Sequence, residues 1–278
     1  MIDIHAHILP GVDDGPKTWD EALAILQTAS ANGITAIAAT SHMLPDGPFA
    51  NTREKLLPLI DELRERAAAS QIPIEIYAGG EVHISPDLVE RYEAGQLLTY
   101  GDAGRYMLVE LPPAEIPAYT EQVLFELQLR GITPIIAHVE RNQGIMRRPE
   151  QLVEFIQRGA LAQVTASSLT TSGVLADFTR TLLEHQLVHF IATDTHGVRR
   201  RKPELKPAVE QASAWIGEEA AQALVHENPR RVLAGEALDV PAPQLPAGFR
   251  TSGGRERSQR SGGGLLRRIA GRWRTRRR

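Results

Sequence analysis

Along the first 240 or so positions, short apolar runs rich in β-branched residues alternate with longer stretches whose apolar residues recur every three or four positions. The short runs predict strands at Ile2–Ile4, Ile34–Ala39, Ile74–Ala78, Tyr106–Leu111, Thr133–Ala137, Ala162–Thr165 and Val188–Ala192. The longer stretches predict helices at Trp19–Asn32, Arg53–Ser70, Ala118–Arg130, Pro149–Arg158, Gly173–His185, Glu204–Ile216 and Glu218–His226. Gly33 and Gly131 each follow a helix, where a left-handed cap is wanted, and Asn228-Pro229 predicts the cap and start of a last short helix through Leu233. Repeated strand–helix alternation argues for an α/β fold with a parallel sheet, most simply one closed into a TIM-like barrel, with an open doubly wound sheet as the alternative.

The pattern ends at Leu238, so 1–238 reads as one domain. VPAPQLPAG is proline-spaced and FRTSGGRERSQRSGGG is low in complexity, so 239–264 is expected to be a disordered linker. Residues 265–278, LLRRIAGRWRTRRR, place Leu266, Ile269 and Trp273 on one helical face among arginines, a basic amphipathic tail. The net charge of −3 conceals an asymmetry: 248–278 carries eleven arginines against one glutamate, leaving twenty basic and thirty-three acidic residues in 1–247. Such a tail suits an anionic membrane surface; the nucleic-acid reading has charge but no recognition motif, and a plain solubilising tail is the structural alternative. There is no cysteine, which excludes disulfides, thiolate metal sites and a cysteine nucleophile. With no signal peptide and no apolar span, the expected location is the cytoplasm, peripheral at the inner face of the membrane if the tail binds there.

Chemistry gathers where the predicted strands end. His5 and His7 follow the first, His42 the second, Glu81 the third and Glu110 the fourth; His138, Glu140 and Arg141 follow the fifth, Asp194 and His196 the last. The carboxyl ends of barrel strands share one face. Side chains two apart on a strand point the same way, so His5 with His7, and Asp194 with His196, could each grip one ion. Histidine and carboxylate without thiolate suit zinc, manganese or iron, and carboxylates that bridge ions favour phosphoryl chemistry. Asp13 and Asp14 fit a turn in VDDGP, with Asp14 the better ligand candidate. His83, His185, His189 and His226 read as structural or rim residues.

The phrases DIHAHILPGVDDGP, GITAIAATSH, GGEV, LVELP, PIIAHVERN and IATDTHG resemble the PHP (polymerase and histidinol phosphatase) superfamily. Within it the chain is similar to the bacterial CpsB/YwqE-type manganese-dependent protein-tyrosine phosphatases over about residues 1–235. That resemblance implies the PHP fold, a distorted (β/α)7 TIM-like barrel, and a three-metal site holding Mn2+, with Co2+, Fe or Zn2+ as alternatives. Carried over, His5, His7, Glu81 and Asp194 would hold one ion, Glu81 with Glu110 and His138 a second, and Asp14, His42 and His196 a third. Arg141 would clamp phosphate oxygens, its alternative being an ion pair with Glu140, and a metal-bound water, His42 or His196 would protonate the departing tyrosine. The resemblance also implies, as partner, the phosphotyrosine tail of a bacterial tyrosine kinase that controls capsule or exopolysaccharide synthesis. TSHM, HVERN and TDTHG depart from the family's usual TPHH, HPERN and SDAHN without removing a proposed ligand. The alternatives are a histidinol-phosphatase-like small-molecule phosphatase, a metal-dependent amidohydrolase, and a non-catalytic phosphotyrosine-binding scaffold.

Overall fold

A computed structural model describes residues 1–246; the tail at 265–278 and the linker beyond 246 lie outside the described residues. The strand segments are β1 (Ile2–Ala6), β2 (Ala36–Ala39), β3 (His42–Met43), β4 (Glu75–Ala78), β5 (Glu81–His83), β6 (Tyr106–Glu110), β7 (Thr133–Ile136), β8 (Leu161–Thr165) and β9 (Phe190–Ala192). The helices are α1 (Trp19–Ala31), α2 (Arg53–Ala69), α3 (Leu88–Glu93), α4 (Thr120–Leu129), α5 (Gln143–Arg147), α6 (Pro149–Gln157), α7 (Ala166–Thr170), α8 (Val174–Glu184), α9 (Lys206–Ile216), α10 (Glu218–Ala223) and α11 (Glu227–Leu233).

Nine segments make seven strands. β2 and β3 are one strand broken at Thr40-Ser41, and β4 and β5 are one broken at Gly79-Gly80. All ladders are parallel, in the orders β1-β2-β4 and β3-β5-β6-β7-β8-β9. Gly80 is required at its break, because a Cβ there would meet the Met43 side chain. The outer strands close the sheet on itself: Asp194 N–H donates to His5 O at 2.8 Å, His7 N–H to Thr195 O at 2.9 Å, and Ala6 bridges Thr195. Asp3 seals this seam from its side chain, accepting from the backbone N–H of Thr193 at 3.0 Å, from the Thr193 hydroxyl, and from His5 N–H at 3.3 Å. The expected distorted seven-stranded barrel is therefore what folds, as a closed sheet rather than an open one.

The core lies in two layers. Ile4, Ala38, Tyr106, Leu108, Ile135, Leu161 and Phe190 fill the barrel, and Val232 and Leu233 of α11 plug its floor. The opposite strand faces pack under the surrounding helices. Each fully buried Leu, Ile or Phe in these layers contributes roughly 1.5–3 kcal/mol. Helix starts follow their caps: Thr18 accepts from Glu21 N–H and Thr52 from Lys55 N–H. Gly33 and Gly131 take the left-handed conformation their positions predicted, with φ of 81° and 78°.

Two sequence expectations are corrected at the C-terminal end. α10 stops at Ala223, and α11 begins at Glu227 after His226, so Asn228 lies inside α11 rather than capping it. Its amide instead donates to His189 O at 2.9 Å, tying α11 to the start of β9. Residues 239–246 form neither helix nor strand, but Val240 packs on the barrel cluster and Gln244 N–H donates to His185 O at 2.9 Å.

Candidate metal centre

All nine proposed ligands come together at the carboxyl end of the barrel. A bulge in β1 begins the arrangement. Asp3 pairs with Ile37 and Ala6 with Ala39, so three steps on β1 match two on β2. Ile4 and His5 therefore both face the interior opposite Ala38, and His7 returns to that side. Gly15 lets the following loop fold over His7, since a Cβ there would stand 2.9 Å from His7 O. The ladder places His42 opposite Glu81, and Glu81 opposite Leu108, an interior position two residues before Glu110. His138 and Asp194 leave their strands in the left-handed region, at φ 30° and 53°, conformations uncommon outside glycine and frequent at functional sites. Asp194 and His196 lie beyond β9, so that backbone rather than strand alternation sets the pair, which still approaches at 3.7 Å between His196 Nδ1 and Asp194 Oδ1.

Glu81 is the hub. Its Oε1 lies 3.2 Å from His5 Nε2 and 2.9 Å from His138 Nε2; its Oε2 lies 3.3 Å from His7 Nε2 and 2.9 Å from His42 Nδ1. Burial alone would make this carboxyl a weaker acid, but His5, His138 and His42 hold it well below the usual carboxylate range. Asp194 Oδ1 stands 3.6 Å from His5 Nε2 and 3.7 Å from His7 Nε2. Glu110 stands 3.8 Å from His42 and 3.7 Å from His138. Asp14, half exposed at the rim, reaches His196 Nε2 at 3.0 Å and His42 Nε2 at 3.5 Å, and hydrogen bonds from these two histidines hold its carboxyl far below the usual range.

Three ligand clusters emerge, each with donor atoms within 4.8 Å of one another: His7, Asp14, His42 and His196; His5, His7 and Glu81; and His42, Glu81 and Glu110. His7 and His42 thus sit between groups that the resemblance keeps apart. The chemistry fits divalent cations. His5 Nε2, His7 Nε2, His42 Nδ1 and Asp194 Oδ1 are buried and make no well-aligned hydrogen bond, although the three nitrogens lie within 3.3 Å of Glu81 oxygens, and all four face the same space. Buried polar atoms without aligned partners are costly, and four in one place, all on good ligands, call for a cation.

The second ring nitrogens of His5, His7 and His196 are fixed from behind. Asp13 Oδ2 accepts from His7 Nδ1 at 2.9 Å and from His42 N–H at 3.2 Å, and its Oδ1 accepts from Gly15 N–H. Burial opposes ionisation of both partners, yet their pairing takes Asp13 down to about 2 and, with Glu81, His7 up to about 9. Gln163 Oε1 accepts from His5 Nδ1 at 3.1 Å and from His138 N–H at 3.0 Å. His196 Nδ1 pairs with Asp194 O at 3.0 Å. Each contact leaves the other nitrogen's lone pair toward the cluster.

Two arginines edge the mouth. Arg141 donates to Asp194 Oδ2 at 3.2 Å and Ser167 Oγ at 2.9 Å, while Glu140 lies 3.6 Å away. Glu140 itself is buried, accepting from Thr165 N–H at 3.0 Å and Ser168 Oγ at 2.7 Å. The expected alternative of a rim ion pair with Glu140 is therefore not the main contact of Arg141. Arg201, which the sequence reading missed, donates to the same Asp194 oxygen and to His196 Nε2. Both arginines line a cavity of about 170 Å³ with Leu111, Pro113, His138, Asn142 and Asp194. Asp3, Asp13 and Gln163 were also missed as supports: Asp3 and Gln163 act across the barrel, and Asp13 was read as a turn former. His83, read as a rim residue, lies 3.3 Å from Glu110 Oε2.

Comparison with known proteins agrees with this geometry. The chain is 34% identical over 248 residues to tyrosine-protein phosphatase YwqE of Bacillus subtilis, covering 88% of this chain and 96% of that protein. It is 30% identical over 240 residues to tyrosine-protein phosphatase CpsB of Streptococcus agalactiae, covering 84% and 98%. A solved structure from work on YwqE of Bacillus subtilis and CpsB of Streptococcus pneumoniae, described as unique metal-dependent tyrosine phosphatases, superposes with a TM-score of 0.84 at 33% identity, covering 88% of this chain and 99% of that one. A lactonase from Listeria monocytogenes shares only the barrel, at TM-score 0.55 and 10% identity. Residues 1–234 match the family described as capsular polysaccharide synthesis, CpsB/CapC, so this chain, PHP-type barrel and all, belongs to that family.

Proposed function

We propose that this chain is a metal-dependent protein-tyrosine phosphatase acting on the phosphotyrosine tail of a tyrosine kinase that controls capsule or exopolysaccharide synthesis, in the cytoplasm. The observation that carries the reading is the set of four buried ligand atoms around Glu81 that make no well-aligned hydrogen bond, set beside two arginines at a cavity sized for a phosphoryl group. His5, His7, Asp14, His42, Glu81, Glu110, His138, Asp194 and His196 are the proposed ligands. Manganese is the proposed metal, and cobalt, iron or zinc also suit nitrogen and oxygen donors. Bound cations would supply Lewis-acid polarisation of the phosphoryl oxygens and acidify a water.

The chain's own groups do the rest. Arg141 and Arg201 offer planar guanidinium forks to the two outward phosphate oxygens, a geometry lysine cannot give. The buried floor excludes bulk water, which strengthens those contacts. The departing phenol oxygen leaves past His42 and His196 and takes its proton from water at the mouth. No cysteine exists to form a phosphocysteine. The test is phosphate release from phosphotyrosine peptides by the manganese-loaded protein, lost on chelation and restored by manganese. Well-folded, metal-loaded protein that hydrolyses neither phosphotyrosine nor p-nitrophenyl phosphate would refute the proposal.

A further inference from the structure

A second cleft, of about 570 Å³, opens beside the centre, with His196 and Gly197 on one wall and Gly15, Pro16, Ala24 and Ile25 opposite. Its outer edge is a stapled loop. Arg201 O accepts from His196 N–H at 3.1 Å and from Thr195 Oγ1 at 2.7 Å, and Arg201 adopts φ 51°. This ring turns Val198, Arg199 and Arg200 outward, all three exposed. Arg199 and Arg200 make no hydrogen bond or ion pair among the described residues. They belong to RRRK, four consecutive cations in a body with twenty basic and thirty-three acidic residues over 1–247. One acid, Glu21, also lines the cleft and accepts from Lys17 N–H at 2.5 Å, against the two arginines Arg199 and Arg200.

One loop thus serves two places. Arg201 turns inward to Asp194 and the phosphate-sized cavity, while Arg199 and Arg200 face the neighbouring cleft unneutralised. Resting on the phosphatase reading, we infer that this cleft is a subsite for acidic residues flanking the phosphotyrosine: their carboxylates meet Arg199 and Arg200, and their aliphatic stems lie along Ala24 and Val198. The charge is complementary to an acidic peptide, and the recess beside His196 admits a chain running out of the centre. A lipid surface or nucleic acid would need a broad flat cationic face, whereas this cluster is narrow and walled by apolar side chains.

The test compares phosphotyrosine peptides of equal length whose flanking residues are glutamate, alanine or lysine, with the full manganese-loaded chain. The glutamate peptide should exceed the alanine peptide in kcat/KM by about 3- to 10-fold, through KM, with the advantage shrinking in high salt. In R199A/R200A the ratio should fall to about one, and R199E/R200E should prefer the lysine peptide, an inversion that mere loss of loop structure would not give. Equal kcat/KM for the three peptides in the wild type, or an unchanged ratio in R199A/R200A, overturns the inference while wild-type hydrolysis of p-nitrophenyl phosphate keeps the phosphatase reading. If R199A/R200A alters only retention on phosphatidylserine vesicles, the loop is a membrane contact and the inference fails. If no phosphate ester is cleaved, both readings fall together.

Discussion

Gln163 holds two ligands from two different strands with one oxygen, so Gln163→Met is the sharpest probe of how the centre is supported. The thioether conserves volume and removes the acceptor. It leaves His5 Nδ1 and the His138 backbone N–H without the partners they have at 3.1 and 3.0 Å, in a position that is fully buried. Each orphaned donor costs about 1–3 kcal/mol, so metal-free protein should lose roughly 2–6 kcal/mol of stability, read from the urea midpoint. The second effect is on cations. Without the acceptor at Nδ1, His5 is free to take the other tautomer, which puts a proton on the Nε2 that faces Glu81 and Asp194. His138, held at a left-handed φ of 30°, also loses its backbone anchor. Loss of such a support weakens metal affinity by about 10- to 100-fold. The assay is competition for manganese against a calibrated chelator, alongside Gln163→Glu, which restores an acceptor. Methionine should weaken binding and glutamate should recover most of it. Manganese affinity within about 2-fold of wild type in the methionine variant, despite lowered metal-free stability, would show that Gln163 packs the barrel and does not orient ligands.

His189 is buried, and burial takes it down to about 4 from its ordinary 6.5. The unfolded chain therefore binds the extra proton between those values, and this contribution to stability is present above about pH 6.5 and lost as pH falls toward 4. The full difference is about 3 kcal/mol. Urea midpoints at pH 7.5 and 4.5 should differ less in His189→Gln than in wild type; parallel loss in both would reject the assignment. For the basic tail, flotation with anionic liposomes should carry the full chain and leave behind a chain ending at Pro246, which keeps the Gln244–His185 contact. Equal flotation removes the membrane proposal.

Strand exits were legible because the chemistry of the residues stands out against apolar runs: no core strand needs IHAH, or a lone glutamate after two glycines. What was not legible has a common physical cause, namely that it depends on register. Read by simple alternation, Ile2 and Ile4 fill the barrel and would drive His5 to the outer face. Only the extra residue between Asp3 and Ala6, matched against Ile37 and Ala39, turns His5 inward without evicting Ile4. The same holds at Thr40-Ser41 and Gly79-Gly80, where the two strand breaks leave β3 and β5 too short to show any period while lifting His42 and Glu81 to one level. The supports are less legible still. Asp3 meets Thr193 across 190 positions and Gln163 meets His5 across 158, contacts that exist only once the barrel has closed. Arg201 is one of four consecutive cations in RRRK with no spacing to mark it, and only the loop staple turns it away from its neighbours. Closure and cation binding are thus a single problem for this chain: the seam that joins β1 to β9 also sets His5, His7, Asp194 and His196 around Glu81. A substitution that loosened the seam at Asp3 should therefore weaken the centre even though Asp3 is not among its proposed ligands.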